Sequence, residues 1–468
     1  MKSRLSVSAP TSCAVVGLGV SNLPLVRFLS AHGVHPTVRD RKTEAELVPL
    51  AKEVRALGAE LIAGEGYLQN LNEKVIFRSP GLRPDLPAFC RAVENGSRLT
   101  SEMEYFLELS PALVLGVTGS DGKTTTTTLA GLFLQEEQKR KNTGRVYVGG
   151  NIGKPLLPEV ENMTARDVAV VELSSFQLQG CRQSPDRAVI TNLSPNHLNW
   201  HTDFAEYVAA KTEIFKHARC KLLVLNADNQ ETAALAKSAP VTVTLFSAFG
   251  RPVGAEKCVF ARGDMVFADF GGGETPVLPV ADLLLPGRHN LENLLAAVAL
   301  TEGLVSPESI VAVAKTFAGV EHRLQKVATV EGVTYYNSSI DSTPTRTRAA
   351  LAALAGQGIR PVVICGGYDK HLSYAPLAAA LEQYAKSAVL TGQTAGAIAG
   401  EICKRNTNFP FCIASDFNAA VLAAKALAEP GDAVLLSPAC ASFDAFRNFA
   451  ERGETFCKIV RGFSKGES

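Results

Sequence analysis

The feature that most constrains this chain is the run Leu113-Val-Leu-Gly-Val-Thr-Gly-Ser-Asp-Gly-Lys-Thr-Thr. An apolar, strand-like stretch enters a glycine loop, and Lys123 and Thr124 open a helix-like segment that reads through Leu129. Glycines let backbone N–H groups close on phosphate oxygens, and the positive end of the following helix favours the same anion. The lysine reaches the β- and γ-phosphates, and the Thr hydroxyl ligates Mg²⁺. The strict GxxxxGK[ST] spacing is not met, because position 117 is Val and the glycine falls at Gly116. What remains is a tighter variant. It predicts nucleoside triphosphate binding by Gly119, Ser120, Asp121, Gly122, Lys123, Thr124 and Thr125.

Around this loop, apolar strand-like runs alternate with helix-like segments, the pattern of α/β folds with parallel sheets. Strands are predicted at Ala14–Val16, Pro36–Asp40, Val75–Arg78, Leu113–Val117, Val168–Glu172, Ala188–Leu193 and Leu222–Asn226. Thr334–Tyr336, Val362–Cys365, Ser387–Leu390 and Ala433–Leu436 continue the series, and Leu23–His32 reads as a helix. The glycine-rich stretch Ala248–Gly273 reads as strands and loops inserted in the middle of the chain. A length of 468 residues is too long for one ordinary core and suggests about three domains. Breaks near Leu109–Ala112 and Phe317–Val320 divide the chain into 1–109, 110–318 and 319–468.

Forty-seven basic against 46 acidic residues leave a formal charge of +1, which argues against nucleic acid or an anionic membrane as partner. Ten cysteines without a CxxC spacing, most of them in apolar stretches, read as buried thiols of a reducing compartment. The first twenty residues, interrupted by Pro10, Thr11 and Ser12, are not expected to act as a signal peptide, and no 18-residue apolar run predicts a membrane span. A cytoplasmic chain without membrane insertion is the expectation.

Other candidate residues are ordinary when taken singly. Gly17-Leu-Gly-Val-Ser-Asn22 followed by Asp40 resembles a dinucleotide fingerprint whose third glycine is replaced. A nicotinamide reading of that turn leaves Lys123, Thr124 and Lys211 unexplained. Glu172 ends an apolar strand, where α/β sheets place ligand-binding groups, and a carboxylate there suits a hard cation such as Mg²⁺. His197 alone reads as a hydrogen-bonded structural histidine and Lys211 alone as a solvated helix lysine.

Their order is more informative. Gly119-Ser-Asp-Gly-Lys-Thr, Asn151-Ile-Gly, Glu172-Leu-Ser-Ser-Phe-Gln, Asn192-Leu-Ser-Pro-Asn-His, Tyr207-Val-Ala-Ala-Lys, Leu285-Pro-Gly-Arg-His-Asn-Leu-Glu-Asn and Glu321-His-Arg resemble the Mur ligase family. The run Leu436-Ser-Pro-Ala-Cys-Ala-Ser-Phe-Asp-Ala-Phe-Arg-Asn-Phe-Ala-Glu-Arg-Gly resembles its D-glutamate-adding branch. The resemblance implies three domains: a Rossmann-like module for a UDP substrate, a central P-loop ATPase and a Rossmann-like module for the amino acid. It implies ATP-dependent ligation of D-glutamate to UDP-N-acetylmuramoyl-L-alanine through an acyl phosphate, with two Mg²⁺ sites; a monomer is the expectation for the assembly. Thr124, Glu172, His197 and a carbamylated Lys211 would hold the metals, and Lys123, His197 and Lys211 would serve catalysis. Asn290, Asn293, Arg323 and Asp369 would contact the nucleotide. Val20, Ser21 and Asp40 fall at the uridine end, and Asn151, Ser174 and Gln177 at the muramoyl-alanine portion. Lys370, Ser442, Phe443 and Phe449 match contacts of D-glutamate.

Three departures stand out. In the family's Asn-Asp-Ser-Lys-Ala-Thr-Asn stretch, which here reads Asn337-Ser-Ser-Ile-Asp-Ser-Thr, the Asp is Ser338, the Lys is Ile340 and the Thr is Ser342. The lost lysine removes a cation near the acceptor pocket and keeps open a sister Mur-type or folylpolyglutamate-type ligase with another amino acid. Asn196 and Asn199 stand where many relatives carry Asp, and Lys42 where some carry Arg.

Overall fold

A computed structural model describes residues 12–19, 22–197, 200–285, 287–369 and 372–463. It divides into two compact units, Met1–Phe317 and Ala318–Ser468. The first unit carries two sheets and the second carries one, all parallel or mostly parallel. The architecture is three-domain α/β.

The N-terminal sheet comprises β1 (Cys13–Val16), β2 (Thr37–Asp40), β3 (Glu60–Ala63), β4 (Val75–Arg78) and β5 (Arg98–Thr100). Its order is β3-β2-β1-β4-β5 and every pairing is parallel. The run Cys-Ala-Val-Val of β1 is buried throughout, as a central parallel strand covered on both faces requires.

The middle sheet contains β6 (Leu113–Thr118), β7 (Val146–Gly150), β8 (Val168–Glu172), β9 (Arg187–Ile190), β10 (Leu222–Asn226) and β11 (Thr242–Ser247). It is completed by β12 (Cys258–Arg262), β13 (Met265–Asp269) and β14 (Thr275–Pro279), in the order β14-β13-β12-β11-β10-β9-β6-β8-β7. The glycine-rich stretch therefore extends this sheet: β12, β13 and β14 pair antiparallel at one edge. The two sheets share one apolar core, in which Val15, Val38 and Phe77 belong to the same cluster as Val114, Val171 and Ile190.

The helix after the glycine loop runs Lys123–Lys141, well past Leu129. Thr124–Thr128 are weak helix formers, but Leu129, Ala130, Phe133 and Leu134 bury one face, and that packing outweighs propensity.

The second unit contains β15 (Gln325–Val330), β16 (Val333–Asn337), β17 (Val362–Gly366), β18 (Ser387–Thr391), β19 (Phe411–Ile413) and β20 (Ala433–Leu436). Their order is β15-β16-β20-β17-β18-β19, with only β15 antiparallel to its neighbour. All ten cysteines are free thiols, seven of them buried. Among the described residues no helix is long and apolar enough to cross a membrane.

Candidate active site

Strand order builds the site. β6 lies between β9 and β8, so its loop rises between Thr191-Asn192 on one side and Glu172 on the other. These are carboxyl ends of neighbouring parallel strands, where open α/β sheets bind ligands.

Two glycines of the loop have conformations and surroundings that exclude a side chain. Gly119 has φ +149° and a Cβ there would meet Thr191 Oγ1 at 1.9 Å; Gly122 has φ +78° and its Cβ would meet Asn293 Oδ1 at 2.1 Å. The tight packing fixes the backbone from outside. The Asp121 N–H donates to Asn192 Oδ1 at 2.9 Å, and the Thr191 hydroxyl donates to the Asp121 carbonyl at 2.6 Å. Ser120 Oγ lies 2.9 Å from the Tyr207 hydroxyl and accepts the Ser194 N–H at 2.9 Å. Gly122 caps the following helix, so the helix's first N–H groups open toward the loop.

The helix then delivers two side chains. Lys123 Nζ donates to the carbonyls of Gly119 and Ser120, both at 2.9 Å. The Thr124 hydroxyl donates to Glu172 Oε2 at 2.8 Å. Asn151, just past β7, donates from Nδ2 to Glu172 Oε1 at 2.7 Å and from its N–H to the Glu172 carbonyl at 2.8 Å. Glu172 is 2% exposed, so this carboxylate is held by a hydroxyl and an amide, donors that a divalent cation can displace without leaving a buried charge unpaired.

Lys211 reaches the same loop from the helix Phe204–Thr212. Its Nζ donates to the Gly119 carbonyl at 2.7 Å and to Thr118 Oγ1 at 3.2 Å, and lies 4.8 Å from the centroid of the Tyr207 ring one turn earlier. Burial, reinforced by the charge of Lys123, holds its pKa well below the usual lysine value despite Glu172 and Asp121. A solvated helix lysine is thus the wrong description of Lys211. His197 has φ +54° and stands near the same helix, its ring edge-on to Phe176 at 4.9 Å and tilted against Tyr207 at 6.5 Å. Among the described residues no group of three or more His, Cys, Asp or Glu forms a ready metal cage.

Ser174 and Gln177 close a capping box on the short helix Ser175–Leu178, with Gln177 Oε1 accepting both the N–H and the hydroxyl of Ser174 at 2.9 Å. Asn293 accepts from Thr126 Oγ1 at 3.3 Å and so packs beside the loop helix, one turn beyond Asn290 on the helix Arg288–Leu300. In the N-terminal sheet, Asp40 accepts the N–H of Leu18 at 2.6 Å and of Lys42 at 2.9 Å, tying the glycine turn to the end of β2. Asn22, in the third-glycine position, is buried and donates to the carbonyls of Val16 and Gly17 at 3.2 and 2.8 Å. Its side chain closes the turn.

In the second unit the Tyr374 hydroxyl donates to Asp369 Oδ1 at 3.1 Å. Arg323 follows β15's leading turn, Ser442 is buried, and Phe443 and Phe449 are exposed, their rings edge-on to Tyr368 and His322. Val20, Ser21 and Lys370 lie outside the described residues. Sequence reasoning assigned no role to Tyr207, Thr191 or Asn192, which shape the loop. For Tyr207 the available signal was its spacing of four from Lys211, one helical turn on the same face.

Fold and site define an α/β protein that presents a glycine-rich loop, a buried carboxylate and a buried lysine at the carboxyl ends of neighbouring parallel strands. Family models match most of the chain: Mur ligase MurD-like, N-terminal domain over residues 11–101, Mur ligase middle domain over 117–301, and Mur ligase, glutamate ligase domain over 322–440. The chain belongs to the Mur ligase family. It is 45% identical over 454 residues to the UDP-N-acetylmuramoylalanine–D-glutamate ligase of Clostridium novyi, covering 96% of each chain. It is 44% identical to the protein of the same name from Symbiobacterium thermophilum, covering 96% of this chain and 98% of the relative. Among solved structures, the UDP-N-acetylmuramate-alanine ligase MurC of Thermotoga maritima shares the fold, with TM-score 0.52 and 19% identity over 96% of this chain and 99% of the other.

Proposed function

We propose that this chain joins D-glutamate to UDP-N-acetylmuramoyl-L-alanine at the expense of ATP, in peptidoglycan precursor synthesis. The observation that carries the reading is near-full-length similarity, above 40% identity, to relatives bearing that name. The chemistry of the loop agrees with it. A carboxylate is a poor electrophile until one of its oxygens becomes part of a leaving group. Transfer of the γ-phosphoryl group to the alanyl carboxylate makes an acyl phosphate. The amine of the amino acid then attacks the carbonyl carbon, loses a proton, and expels inorganic phosphate as the amide forms.

This chain's groups supply the electrostatics. Lys123, now held on the Gly119 and Ser120 carbonyls, turns to the β/γ-phosphates. The helix N-terminus at Gly122 and the loop N–H groups add fixed dipoles aimed at the same anion. Thr124 and Glu172 fit a Mg²⁺ ion, being an oxygen pair already 2.8 Å apart. Such an ion neutralises charge on the transferring phosphoryl group when bound.

Lys211 does not fit a metal as an ammonium, because like charges repel. Its lowered pKa favours the neutral amine, which can add to carbon dioxide and lose a proton, and the carbamate would be an anionic oxygen ligand. Nucleotide contacts fall to Gly119–Thr125, Asn290, Asn293, Arg323 and Asp369. Substrate contacts fall to Asp40, Asn151, Ser174 and Gln177 on the UDP substrate and to Lys370, Ser442, Phe443 and Phe449 on D-glutamate. The domains 1–109, 110–318 and 319–468 serve UDP substrate, ATP and amino acid in turn. The enzyme works in the cytoplasm as a monomer.

The departure at Ile340 makes the acceptor the point to test. Phosphate release is measured with UDP-N-acetylmuramoyl-L-alanine, ATP and a panel of D-glutamate, L-glutamate, glycine, L-lysine and meso-diaminopimelate. Release with D-glutamate alone supports the reading. Turnover with another acceptor and none with D-glutamate overturns it.

A further inference from the structure

The glycine loop leaves β6 with different neighbours on its two sides. Toward β8 and β7 stand Glu172 and Asn151, with the Thr124–Glu172 pair that fits a cation. Toward the other side the carboxyl ends of β9, β10 and β11 follow in order. A triphosphate whose reacting end meets the carboxylate side has its nucleoside end over these three strands.

The turn leaving β11 presents an aromatic ring there. Asp228, just past β10, braces that turn: its Oδ1 accepts the Ser247 hydroxyl and its Oδ2 the Ala248 N–H, both at 2.7 Å. The Phe249 N–H donates to Ser247 Oγ at 3.0 Å. On this braced turn Phe249 is 70% exposed. The Arg288 guanidinium lies over the ring, 4.1 Å from its centroid, and is itself held by a 2.8 Å hydrogen bond from Nε to Glu292 Oε1. A rigid ring with one face backed by a cation and most of its surface in water suits a flat aromatic partner.

The helix Arg288–Leu300 sets the separation from the loop. Asn293 packs against the loop, where a Gly122 Cβ would meet its Oδ1 at 2.1 Å. Arg288 opens the helix five residues earlier, about 7.5 Å along the axis. Across the sheet, β11 is the third strand from β6, about 14 Å away. The ring thus stands beyond the phosphate loop on the nucleoside side, within the reach of one nucleotide.

We propose that Phe249, backed by Arg288, is the platform on which the adenine ring of ATP stacks. Stacking uses the face of the base and not its edge, so the platform adds affinity for a purine without choosing among purines. The inference rests on the triphosphate binding read from the glycine loop and deepens the function proposed above.

The test compares the parent enzyme with Phe249→Ala and Phe249→Trp. KM is measured for ATP, UDP-N-acetylmuramoyl-L-alanine and D-glutamate, and inorganic tripolyphosphate, which has the phosphates without the base, is titrated as a competitor of ATP. Phe249→Ala raises KM for ATP by about tenfold, the size of one base–aromatic stack. Inhibition by tripolyphosphate, the other two KM values and Tm stay unchanged. Phe249→Trp keeps the parent's KM, and ATP quenches its emission beyond any change at Trp200, the parent's single tryptophan, while tripolyphosphate does not. An unchanged KM for ATP in Phe249→Ala, a matching loss of tripolyphosphate inhibition, or a Phe249→Trp emission indifferent to ATP overturns the inference. The fluorescence titration needs no acceptor, so absence of D-glutamate-dependent phosphate release in the parent overturns the proposed function alone.

Discussion

Replacing Gly122 with Ala puts one methyl group at a tightly packed point of the glycine loop. At φ +78° a side chain costs about 1–2 kcal/mol, because Cβ crowds the adjacent carbonyl. The new Cβ also starts 2.1 Å from Asn293 Oδ1, where real Cβ atoms keep at least 3.0 Å, so Asn293 must retreat by about 0.9 Å (3.0 minus 2.1). That oxygen accepts from Thr126 at 3.3 Å, and a retreat of this size breaks the bond in a buried place, at about 1 kcal/mol. The sum is about 2–3 kcal/mol of stability. The loop N–H groups turn with the backbone, so KM for ATP rises by about tenfold or more. Urea denaturation and ATP-dependent phosphate release measure the two effects. A Gly122→Ala protein within about 0.5 kcal/mol of the parent, with unchanged KM for ATP, would refute the claim that this glycine sets the loop.

Three further substitutions follow, two at the loop and one elsewhere in the first unit. Lys123→Ala lowers kcat by about a hundredfold or more by removing the cation on the transferring phosphoryl group; an unchanged rate in steady-state phosphate release refutes that role. Lys211→Ala is nearly inactive and regains turnover with added formate or acetate, because a small carboxylate replaces the carbamate; no recovery across a concentration series counts against carbamylation. Glu102 is buried with one carboxyl oxygen unpartnered, and burial pushes its pKa from 4.5 up to about 7. The folded state therefore keeps a proton that the unfolded chain has lost. The associated stability is complete below about pH 4.5 and disappears as pH rises through 7, amounting to about 3 kcal/mol at most. Glu102→Gln removes that slope, so its advantage over the parent in denaturation midpoint grows from pH 5 to pH 8; equal midpoints at both values refute the assignment.

Much of the fold is legible where a strand is apolar up to its last residue. Val75–Arg78, Val168–Glu172, Leu222–Asn226 and Ala433–Leu436 coincide with the strands observed, since each is a buried parallel strand. Glu60–Ala63 and Arg98–Thr100 are partly exposed edge strands without that signature. The helix beyond Leu129 was hidden by its threonine run and Gly131. Within the site, the glycine loop and Glu172 could be singled out because each follows a strand; Lys211, read alone as a solvated helix lysine, could not, because its burial has no local signature. The clamp on Asp121 could not, since Asn192 lies 71 residues away and nothing local announces the pairing.

The central claim is an acyl phosphate made from the substrate's own carboxylate. Its most direct test uses UDP-N-acetylmuramoyl-L-alanine carrying a heavy-oxygen label in the alanyl carboxylate, with ATP and D-glutamate, and reads the mass of the phosphate released. Attack on an acyl phosphate leaves one carboxylate oxygen on the departing phosphate, so the label appears there in step with amide formation. Amide formed with unlabelled phosphate would contradict the account.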